Sequence, residues 1–478
     1  MTRARAAAAM GMLAVVVWAG IWVRAWDTWV GMNHATGTVA ALADAALHGE
    51  SDGHEGASDY LGALYAPPFP LAVAALYRTG LSWLHALRLA SLGSAIAFLA
   101  AAAFAARAAS ASRAGIAVTL ALLAACAPFH EASLAGRADL LAAAFTLAAV
   151  AAWLRDRELE GWACAALAAA AWLCKVSEVA APLAVLASAI ARRDAGPALR
   201  FGLRFALAVA LGLLLMLPFQ GPSWFAHTLS TTLFSPPNRA NLLRGPAEAL
   251  RYAGSFVELG LIAALALASL ADPGPLRGGR DVGPLRWGAA AALLVAMAVL
   301  ANRGADHNHL LTTLALAGAC AGAAWEATPA RALSLAAVLV AVPAASWRDA
   351  ASFARQIAAP AARRANVIAA VRSEPGPVLA EDPLVLLAAG RRSPISDPAT
   401  LRSRERSGDP RARLLSRATA EGRWSLVVLE HDAALNQEWY RDFHFGEPVM
   451  SAVRARYRRD GSADDYLLYR RSGPPPPP

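Results

Sequence analysis

The chain has 478 residues, of which 57% are hydrophobic, and its formal net charge is +9. Its mean hydropathy is +0.40, which together with long runs of alanine and leucine excludes an ordinary soluble protein and predicts a polytopic membrane protein. The positive charge does not indicate a nucleic-acid-binding protein, because the arginines are spread over short loops and a polar C-terminal part without interleaved aromatic residues. The four cysteines lie in apolar segments and have the spacing of neither a disulfide framework nor a metal site.

Two rules predict the path through the membrane: a span needs about 20 apolar residues, and short cytoplasmic loops concentrate arginine. Together they predict an all-α membrane domain over residues 1–347, with about eleven spans, the N-terminus inside and the C-terminus outside. The first span is expected to be retained, because no small-residue cleavage site precedes Asp27. The predicted spans cover about residues 7–25, 86–106, 114–129, 138–154, two arms within 161–190, 200–218, 254–271, 287–301, 310–325 and 332–347.

Two polar regions are predicted outside the membrane. Residues 27–85 form the first outer loop, and within it the proline-rich run 65–81 is expected to be a helix lying on the outer surface. Residues 348–472 contain short β-like runs, P-V-L-A, W-S-L-V-V-L-E and D-Y-L-L-Y, which alternate with helix-like stretches and predict a small α/β domain. Residues 473–478 are expected to be a disordered proline-rich tail.

Lys175 is the only lysine in the chain and lies in the apolar stretch A-W-L-C-K-V-S-E-V-A. A single helix over residues 161–190 would be about 45 Å long, too long for one span, and arginines flank both ends, so we expect a hairpin with K-V-S-E at its tip. A charged lysine inside a membrane costs about 2.5–3.5 kcal/mol and therefore commonly marks a functional site. Two interpretations follow: Lys175 binds an anion, or it pairs with Glu178 on the same helical face.

The predicted topology gathers most of the other charged and polar groups on the outer face. Asp139 is a candidate functional carboxylate or a hairpin cap paired with Arg137, and Asp306 and Asn308 line a cavity or form a plain turn. Arg303 is the main cation on the side that the positive-inside rule disfavours, and His34 is a cavity candidate or a solvated loop residue. The remaining cavity candidates are Tyr65 and Glu178.

Several short motifs follow one another along the chain: Y-A-P-P-F-P, L-H-A-L-R-L-A-S-L, G-R-A-D-L-L, L-C-K-V-S-E, G-A-D-H-N-H-L-L and E-D-P-L-V-L-L-A-A-G-R-R-S-P-I-S-D-P. In this order they resemble the polytopic GT-C glycosyltransferases, in particular bacterial members of the protein-mannosyltransferase-like family 39 type. The resemblance implies an inverting transfer of a sugar from a polyprenyl-phosphate carrier to a lipid, glycan or protein acceptor. The reaction would take place at the outer face of the bacterial cytoplasmic membrane.

The resemblance also implies roles for individual residues. Asp27 or Asp139 would be the general base, and Lys175 with Arg88 or Arg137 would hold the donor phosphate. Some relatives bind a divalent metal near such acids, but this sequence shows no strong ligand set and predicts no certain cofactor.

One departure from the family pattern bears on catalysis. Relatives carry an acidic residue shortly before a T-V helix start, whereas this chain has N-H-A-T-G-T-V at 33–39. Either Asp27 replaces that residue, or the base lies elsewhere, or the chain is a non-catalytic scaffold. A transporter or flippase of an anionic lipid or solute is the other alternative; polar groups clustered on one face favour the enzyme.

Overall fold

A computed structural model describes residues 3–49, 66–155, 161–191, 193, 195–233, 243–255, 260, 283–301, 307–326, 340–406 and 412–473. Helices make up most of this part of the chain, and the only sheet within it lies in the C-terminal region. The helices of the N-terminal region are α1 (Arg3–Ala25), α2 (His34–Leu47), α3 (Pro68–Arg78), α4 (Trp83–Ala108), α5 (Arg113–Ala124), α6 (Ala127–Leu134), α7 (Asp139–Arg155), α8 (Gly161–Cys174), α9 (Ala180–Ala191), α10 (Ala195–Leu233), α11 (Arg244–Ser255), α12 (Gly283–Leu300) and α13 (Leu311–Ala323).

Four helical segments among the described residues are long and apolar enough to cross a membrane: Arg5–Ala25, Trp83–Ala108, Gly196–Pro218 and Gly283–Leu300. Several leucines of the third segment, part of α10, are more than half exposed, as expected of side chains that contact lipid. These are Leu199, Leu203, Leu207, Leu211, Leu214 and Leu215. The chain is thus a multi-pass membrane protein, and the count of eleven spans stays a prediction. Most of the predicted span 254–271 and the first half of the predicted span 332–347 lie outside the described residues.

The predicted third span is broken where the chain contains a proline. Helices α5 and α6 meet at an angle of 66°. Pro128, in the first turn of α6, lacks the N–H that would continue the helix hydrogen bonds to Ala124. The carbonyl of Ala124 instead accepts a hydrogen bond of 2.7 Å from Nε2 of the buried His130. The bend directs α6 toward the turn that carries Arg137 and Asp139.

The apolar segment 161–190 is interrupted at Lys175, as expected for the predicted hairpin. Helix α8 ends at Cys174 and α9 begins at Ala180. Helix α8 packs mainly against α7 and α10, whereas α9 packs against α12. The two helices therefore diverge from the turn 175–179 into different parts of the bundle.

The bundle core is made largely of alanine, and glycines lie at several helix contacts, so that helix backbones can approach closely. Helices α5 and α13 fit closely, because a Cβ on Gly115 would lie 2.2 Å from the carbonyl oxygen of Gly322. The Thr119 hydroxyl of α5 donates a hydrogen bond of 3.0 Å to the carbonyl of Gly318 in α13. Small side chains and this hydrogen bond hold the two helices together.

The C-terminal region contains four strands with helices around them. Strands β1 (Val378–Ala380), β2 (Leu426–Leu429), β3 (Tyr457–Ala463) and β4 (Tyr466–Arg471) form a sheet in the order β1-β2-β4-β3. Strand β2 is parallel to β1 and antiparallel to β4, which is antiparallel to β3. The helices are α14 (Val342–Ala358), α15 (Ala365–Ser373), α16 (Pro383–Ala388), α17 (Pro398–Arg406), α18 (Ala412–Ala420), α19 (Gln437–Asp442) and α20 (Glu447–Arg456).

Each of the three β-like runs found in the sequence overlaps a strand: β1, β2 and β4. The sequence did not predict β3, because its stretch Y-R-R-D-G-S-A has no alternation of apolar and polar residues. It lies at the edge of the sheet, where most of its side chains are exposed.

Helix α2, which follows α1 along the chain, packs against α16 of the C-terminal region. Gly37 permits this contact, because a Cβ there would lie 2.2 Å from Oδ1 of Asp382 and 2.8 Å from Cδ of Pro383. Arg364 joins the same two parts: it pairs with Asp382 at 2.6 Å and donates a hydrogen bond of 2.9 Å to the carbonyl of Met32. The C-terminal region is therefore fixed to the loop that follows α1.

Gly37→Ala should lower the free energy of unfolding by about 1–3 kcal/mol, because the added methyl group has no space against Asp382. Thermal unfolding of the purified protein in detergent measures the change. The matched control is Gly93→Ala in α4, where a Cβ would meet nothing within 4 Å and the better helix propensity of alanine should leave stability unchanged or raise it. Equal unfolding temperatures for the two variants would show that α2 and α16 do not pack in this way.

Candidate functional site

Asp139, the first residue of α7, lies close to three other polar side chains, two of which come from distant parts of the chain. The Lys175 ammonium lies 2.6 Å from Oδ1 of Asp139, and the Asn308 amide donates a hydrogen bond of 2.9 Å to the same oxygen. Nε of Arg137 lies 3.6 Å from Oδ2. We call Arg137, Asp139, Lys175 and Asn308 the Asp139 cluster.

The Asp139 cluster is close to buried and brings two cations beside one carboxylate. The side chains of Lys175 and Arg137 are 13% and 9% exposed, and that of Asp139 is 3% exposed. Charge interactions are strong in such a setting of low dielectric constant. Cationic side chains of this kind can bind an anionic group through charge-assisted hydrogen bonds.

Local backbone geometry places the members of the cluster. Gly136 adopts φ +63, and a Cβ there would lie 2.8 Å from Cγ2 of Thr36, so this turn between α6 and α7 favours glycine. Beyond α8, the amide of Glu178 donates to the Lys175 carbonyl at 2.8 Å and closes the turn that presents the ammonium. Asn308 lies in the 3-10 turn His307–Leu310.

Glu178 does not pair with Lys175, which corrects the alternative interpretation of the sequence. Its carboxylate accepts hydrogen bonds from the hydroxyl groups of Thr312, at 2.9 Å, and Thr146, at 3.3 Å. The pairing at spacing three required a continuous helix, but α8 ends before Lys175. Glu178 instead lines a small cavity together with His309, Thr312, Ser177 and several apolar side chains of α9 and α12.

Arg88 is placed outside the Asp139 cluster, contrary to its predicted position beside the donor phosphate. The residue is fully buried. Its Nη1 donates to the Leu134 carbonyl at 2.5 Å, and its Nη2 donates to the carbonyls of Thr28 and Val30, both at 2.7 Å. Arg88 thus joins the chain after α1 to the end of α6, just before the turn that leads to Asp139.

Asp27, the other predicted base, lies in a different position and is open to solvent. Its side chain is 76% exposed, and its Oδ1 lies 3.0 Å from Nε2 of His85. The His85 ring stacks on Trp26, with 4.6 Å between ring centroids. Among the described residues, Asp27 makes no bond to the Asp139 cluster. Arg88 and the Thr36 hydroxyl, which donates a hydrogen bond to the Ala135 carbonyl, join the chain after α1 to the end of α6.

The sequence analysis did not select a second carboxylate and imidazole pair, Glu131 and His307. Oε2 of Glu131 lies 2.7 Å from Nε2 of His307, and the Glu131 side chain is 39% exposed. His307 directly precedes Asn308, so one 3-10 turn contacts both Glu131 and Asp139. The histidine-rich D-H-N-H stretch is the sequence feature that could have indicated this pair. Glu131, the partner of His307, is 176 positions away in the chain (307 − 131), so sequence spacing does not reveal the contact.

His34 is largely covered by the C-terminal region, with a side chain 14% exposed, and is not part of the Asp139 cluster. Its ring makes edge contacts with His444, Trp439 and Phe443, with 4.2 Å between the His34 and His444 centroids. Its Nδ1 lies 3.7 Å from Oε2 of Glu430. Burial lowers the pKa of His34, but the hydrogen bond and charge of Glu430, together with the charges of Glu381 and Asp397, outweigh burial and raise it above the usual 6.5.

Glu381 contacts Trp439 and His444, as His34 does, and is fully buried among polar partners. It accepts hydrogen bonds from Nε1 of Trp439, at 3.0 Å, and the Tyr440 hydroxyl, at 2.9 Å, and lies 2.5 Å from Nδ1 of His444. Burial alone would raise the pKa of Glu381, but the hydrogen bond and charge of His444 hold it well below the usual 4.5. Burial lowers the pKa of His444.

The C-terminal region should therefore lose stability in acid. Because the pKa of Glu381 is lower in the folded than in the unfolded chain, its contribution is present above pH 4.5 and is lost as the pH falls toward the folded value. His34 has the opposite sign, since its raised pKa adds stability below pH 6.5 that is lost at higher pH. Thermal unfolding between pH 7 and pH 3 should show a steeper acid decline for the unmodified protein than for Glu381→Gln. Glu447→Gln, at a half-exposed site, is the control and should follow the unmodified protein; a Glu381→Gln profile that did so would refute the account.

The remaining predicted positions, Tyr65, Arg303 and Asp306, lie outside the described residues. Within the residues that are described, no group of three or more His, Cys, Asp or Glu side chains is arranged to hold a metal ion. A divalent metal therefore stays an expectation from the resemblance.

The architecture is similar to that of ArnT from Cupriavidus metallidurans. The structure of ArnT bound to undecaprenyl phosphate is 14% identical, with a TM-score of 0.57 over 96% of this chain and 97% of that chain. The apo structure is 13% identical, with a TM-score of 0.58 over 96% of each chain. The fold is of the GT-C type. No protein-family model matches the sequence, and no curated protein does.

Proposed function

We propose that this chain is a membrane glycosyltransferase that takes a sugar from a polyprenyl-phosphate carrier. The Asp139 cluster carries the proposal, because a nearly buried site with two cations and one carboxylate suits a single phosphodiester group. The GT-C fold supports it, and the similar ArnT structure contains undecaprenyl phosphate.

The cluster provides what such a transfer requires at the leaving group. An acceptor hydroxyl attacks the anomeric carbon, the bond from that carbon to the phosphate oxygen breaks, and its electron pair leaves with the polyprenyl phosphate. Lys175 and Arg137 stabilise the negative charge that develops on this oxygen. The hydroxyl proton passes to a carboxylate base, and attack opposite the leaving group inverts the anomeric configuration.

Asp27 suits the base better than Asp139. Asp139 accepts hydrogen bonds from Lys175 and Asn308 and lies near the Arg137 cation, so its charge is stabilised and it is a weak proton acceptor. Asp27 is exposed and contacts a single imidazole, so an acceptor hydroxyl can reach it. The Arg88 hydrogen bonds hold the loop after Asp27 against the end of α6, next to the turn that carries Asp139.

We place the reaction at the outer face of the bacterial cytoplasmic membrane, with residues 348–472 outside. The packing of α2 against α16 supports this arrangement, since the first outer loop and the C-terminal region must then lie on the same side. The acceptor is a lipid, a glycan or a protein.

Asp27→Asn should lower kcat by about 10²–10⁴-fold while undecaprenyl phosphate still binds, because a general base contributes a factor of this size. Transfer from lipid-linked sugars in proteoliposomes and lipid binding to the purified protein are the two measurements. Asp44→Asn on α2, which removes a carboxylate paired with Arg392, should leave both unchanged. Normal kcat in Asp27→Asn would remove Asp27 as the base.

The function itself is tested by comparing lipid-linked sugars and surface glycans in cells with and without the protein. We expect cells without it to accumulate one glycosyl polyprenyl phosphate and to lose one glycan. Unchanged pools of both would contradict the proposed function.

A further inference from the structure

We infer that Asp139 and Asn308 form a subsite for the hydroxyl or amino groups of the donor sugar, beside the cations that bind its phosphate. The inference rests on the proposed function and deepens it. It gives Asp139 a role in sugar recognition in place of proton transfer.

The subsite follows from two buried acceptor atoms that lack a donor. Counted as whole residues, backbone included, Asp139 is 4% exposed and Asn308 is 8% exposed. In the part of the chain that the structure describes, no hydrogen-bond donor satisfies Oδ2 of Asp139 or Oδ1 of Asn308. The Arg137 Nε atom, 3.6 Å from Oδ2, is too distant for a hydrogen bond.

Chemistry fixes the orientation of the Asn308 amide. An ionised carboxylate only accepts hydrogen bonds, so Asn308 must turn its NH₂ group toward Asp139. Its carbonyl oxygen is then turned away from Asp139 and is the buried acceptor that lacks a donor. Buried polar atoms without partners are uncommon in folded proteins and call for an explanation such as a ligand.

The two acceptors cannot be satisfied by a phosphodiester, because its oxygens are acceptors as well. A ligand that supplies O–H or N–H donors next to a phosphate does satisfy them, and a glycosyl phosphate has this combination. Lys175 and Arg137 offer donors to the phosphate, while Asp139 and Asn308 offer acceptors to the sugar.

This arrangement lets the protein bind the glycosylated donor more tightly than the carrier that has lost its sugar. A site with buried acceptors binds poorly to a ligand that leaves them unpaired. Once the sugar has been transferred, bare polyprenyl phosphate keeps the phosphate contacts but loses the sugar contacts. The carrier is therefore bound less tightly than the donor, which favours its release.

The test measures dissociation constants of the full-length protein in nanodiscs for four probes: undecaprenyl phosphate alone, and the same lipid carrying a hexose, an N-acetylhexosamine or an aminopentose. We expect the unmodified protein to bind at least one glycosylated probe about tenfold or more tightly than the bare lipid. Asn308→Leu should reduce this preference to less than about twofold while the affinity for the bare lipid stays nearly unchanged. Asn308→Ala is the second variant if leucine prevents folding, and Thr119→Val, which removes a buried hydrogen bond between α5 and α13, is the control.

The outcomes separate the subsite from the proposed function. A preference that persists in both Asn308 variants, or equal binding of all four probes by the unmodified protein, overturns the subsite alone. If undecaprenyl phosphate does not bind the unmodified protein, or binds Lys175→Ala with unchanged affinity, the proposed function fails as well.

Discussion

Replacing Lys175 by alanine should lower sugar transfer at least about 100-fold, because the cation that stabilises the leaving phosphate is lost. Lys175→Arg should also lose most transfer. The ammonium is a compact charge 2.6 Å from Asp139, and the Lys175 side chain is only 13% exposed. A planar guanidinium is larger and binds in a different geometry. Transfer from lipid-linked sugars in proteoliposomes is the measurement. Arg251→Ala, which removes an exposed cation paired with Glu248, should leave transfer unchanged.

A double variant separates a role in catalysis from a role in folding. Lys175→Ala leaves Asp139 buried with one bonded partner fewer, and breaking a buried ion pair in this way costs about 3–5 kcal/mol. Adding Asp139→Asn should restore much of the unfolding temperature without restoring transfer. Transfer that returns together with stability would mean that Lys175 only balances the charge of Asp139.

Replacing Arg88 by methionine should lower the free energy of unfolding by about 3 kcal/mol or more. The guanidinium donates to three carbonyls, on Thr28, Val30 and Leu134, and each buried carbonyl left without a donor costs about 1–3 kcal/mol. Transfer should fall too, since Arg88 holds the loop after Asp27 against the end of α6.

The control for this change is Arg107→Met, an exposed arginine near the other end of the same helix, α4. Its unfolding temperature should match that of the unmodified protein. Arg88→Lys, which keeps the charge but not the forked donors, should fall between the two. If Arg88→Met and Arg107→Met unfold at the same temperature, Arg88 does not join these segments.

All four members of the Asp139 cluster are candidate site residues by sequence alone. Lys175 stood out as the only lysine in an apolar stretch, and Asp139, Arg137 and Asn308 stood out as polar groups beside apolar runs. Their mutual contacts could not be predicted. Asp139 and Lys175 are 36 positions apart, and Asn308 is 169 positions from Asp139, so only the packing of the bundle brings them together.

Arg88 and His34 show a different reason for wrong predictions. The partners of Arg88 are backbone carbonyls, which every residue has, so no side-chain pattern distinguishes a structural arginine from one that binds phosphate. His34 begins a helix whose N-terminal capping box joins Asn33 and Thr36. That motif was a readable signal for a helix start, but the burial of His34 against His444 depends on a fold contact 410 positions away (444 − 34).

The binding of a polyprenyl phosphate to the Asp139 cluster is the central claim, and a cryo-electron microscopy structure of the full-length protein with undecaprenyl phosphate tests it most directly. We predict phosphate oxygens within about 3 Å of the Lys175 ammonium and of the Arg137 guanidinium, as charge-assisted hydrogen bonds require. A phosphate bound elsewhere, with Lys175 still paired only with Asp139, would contradict the account.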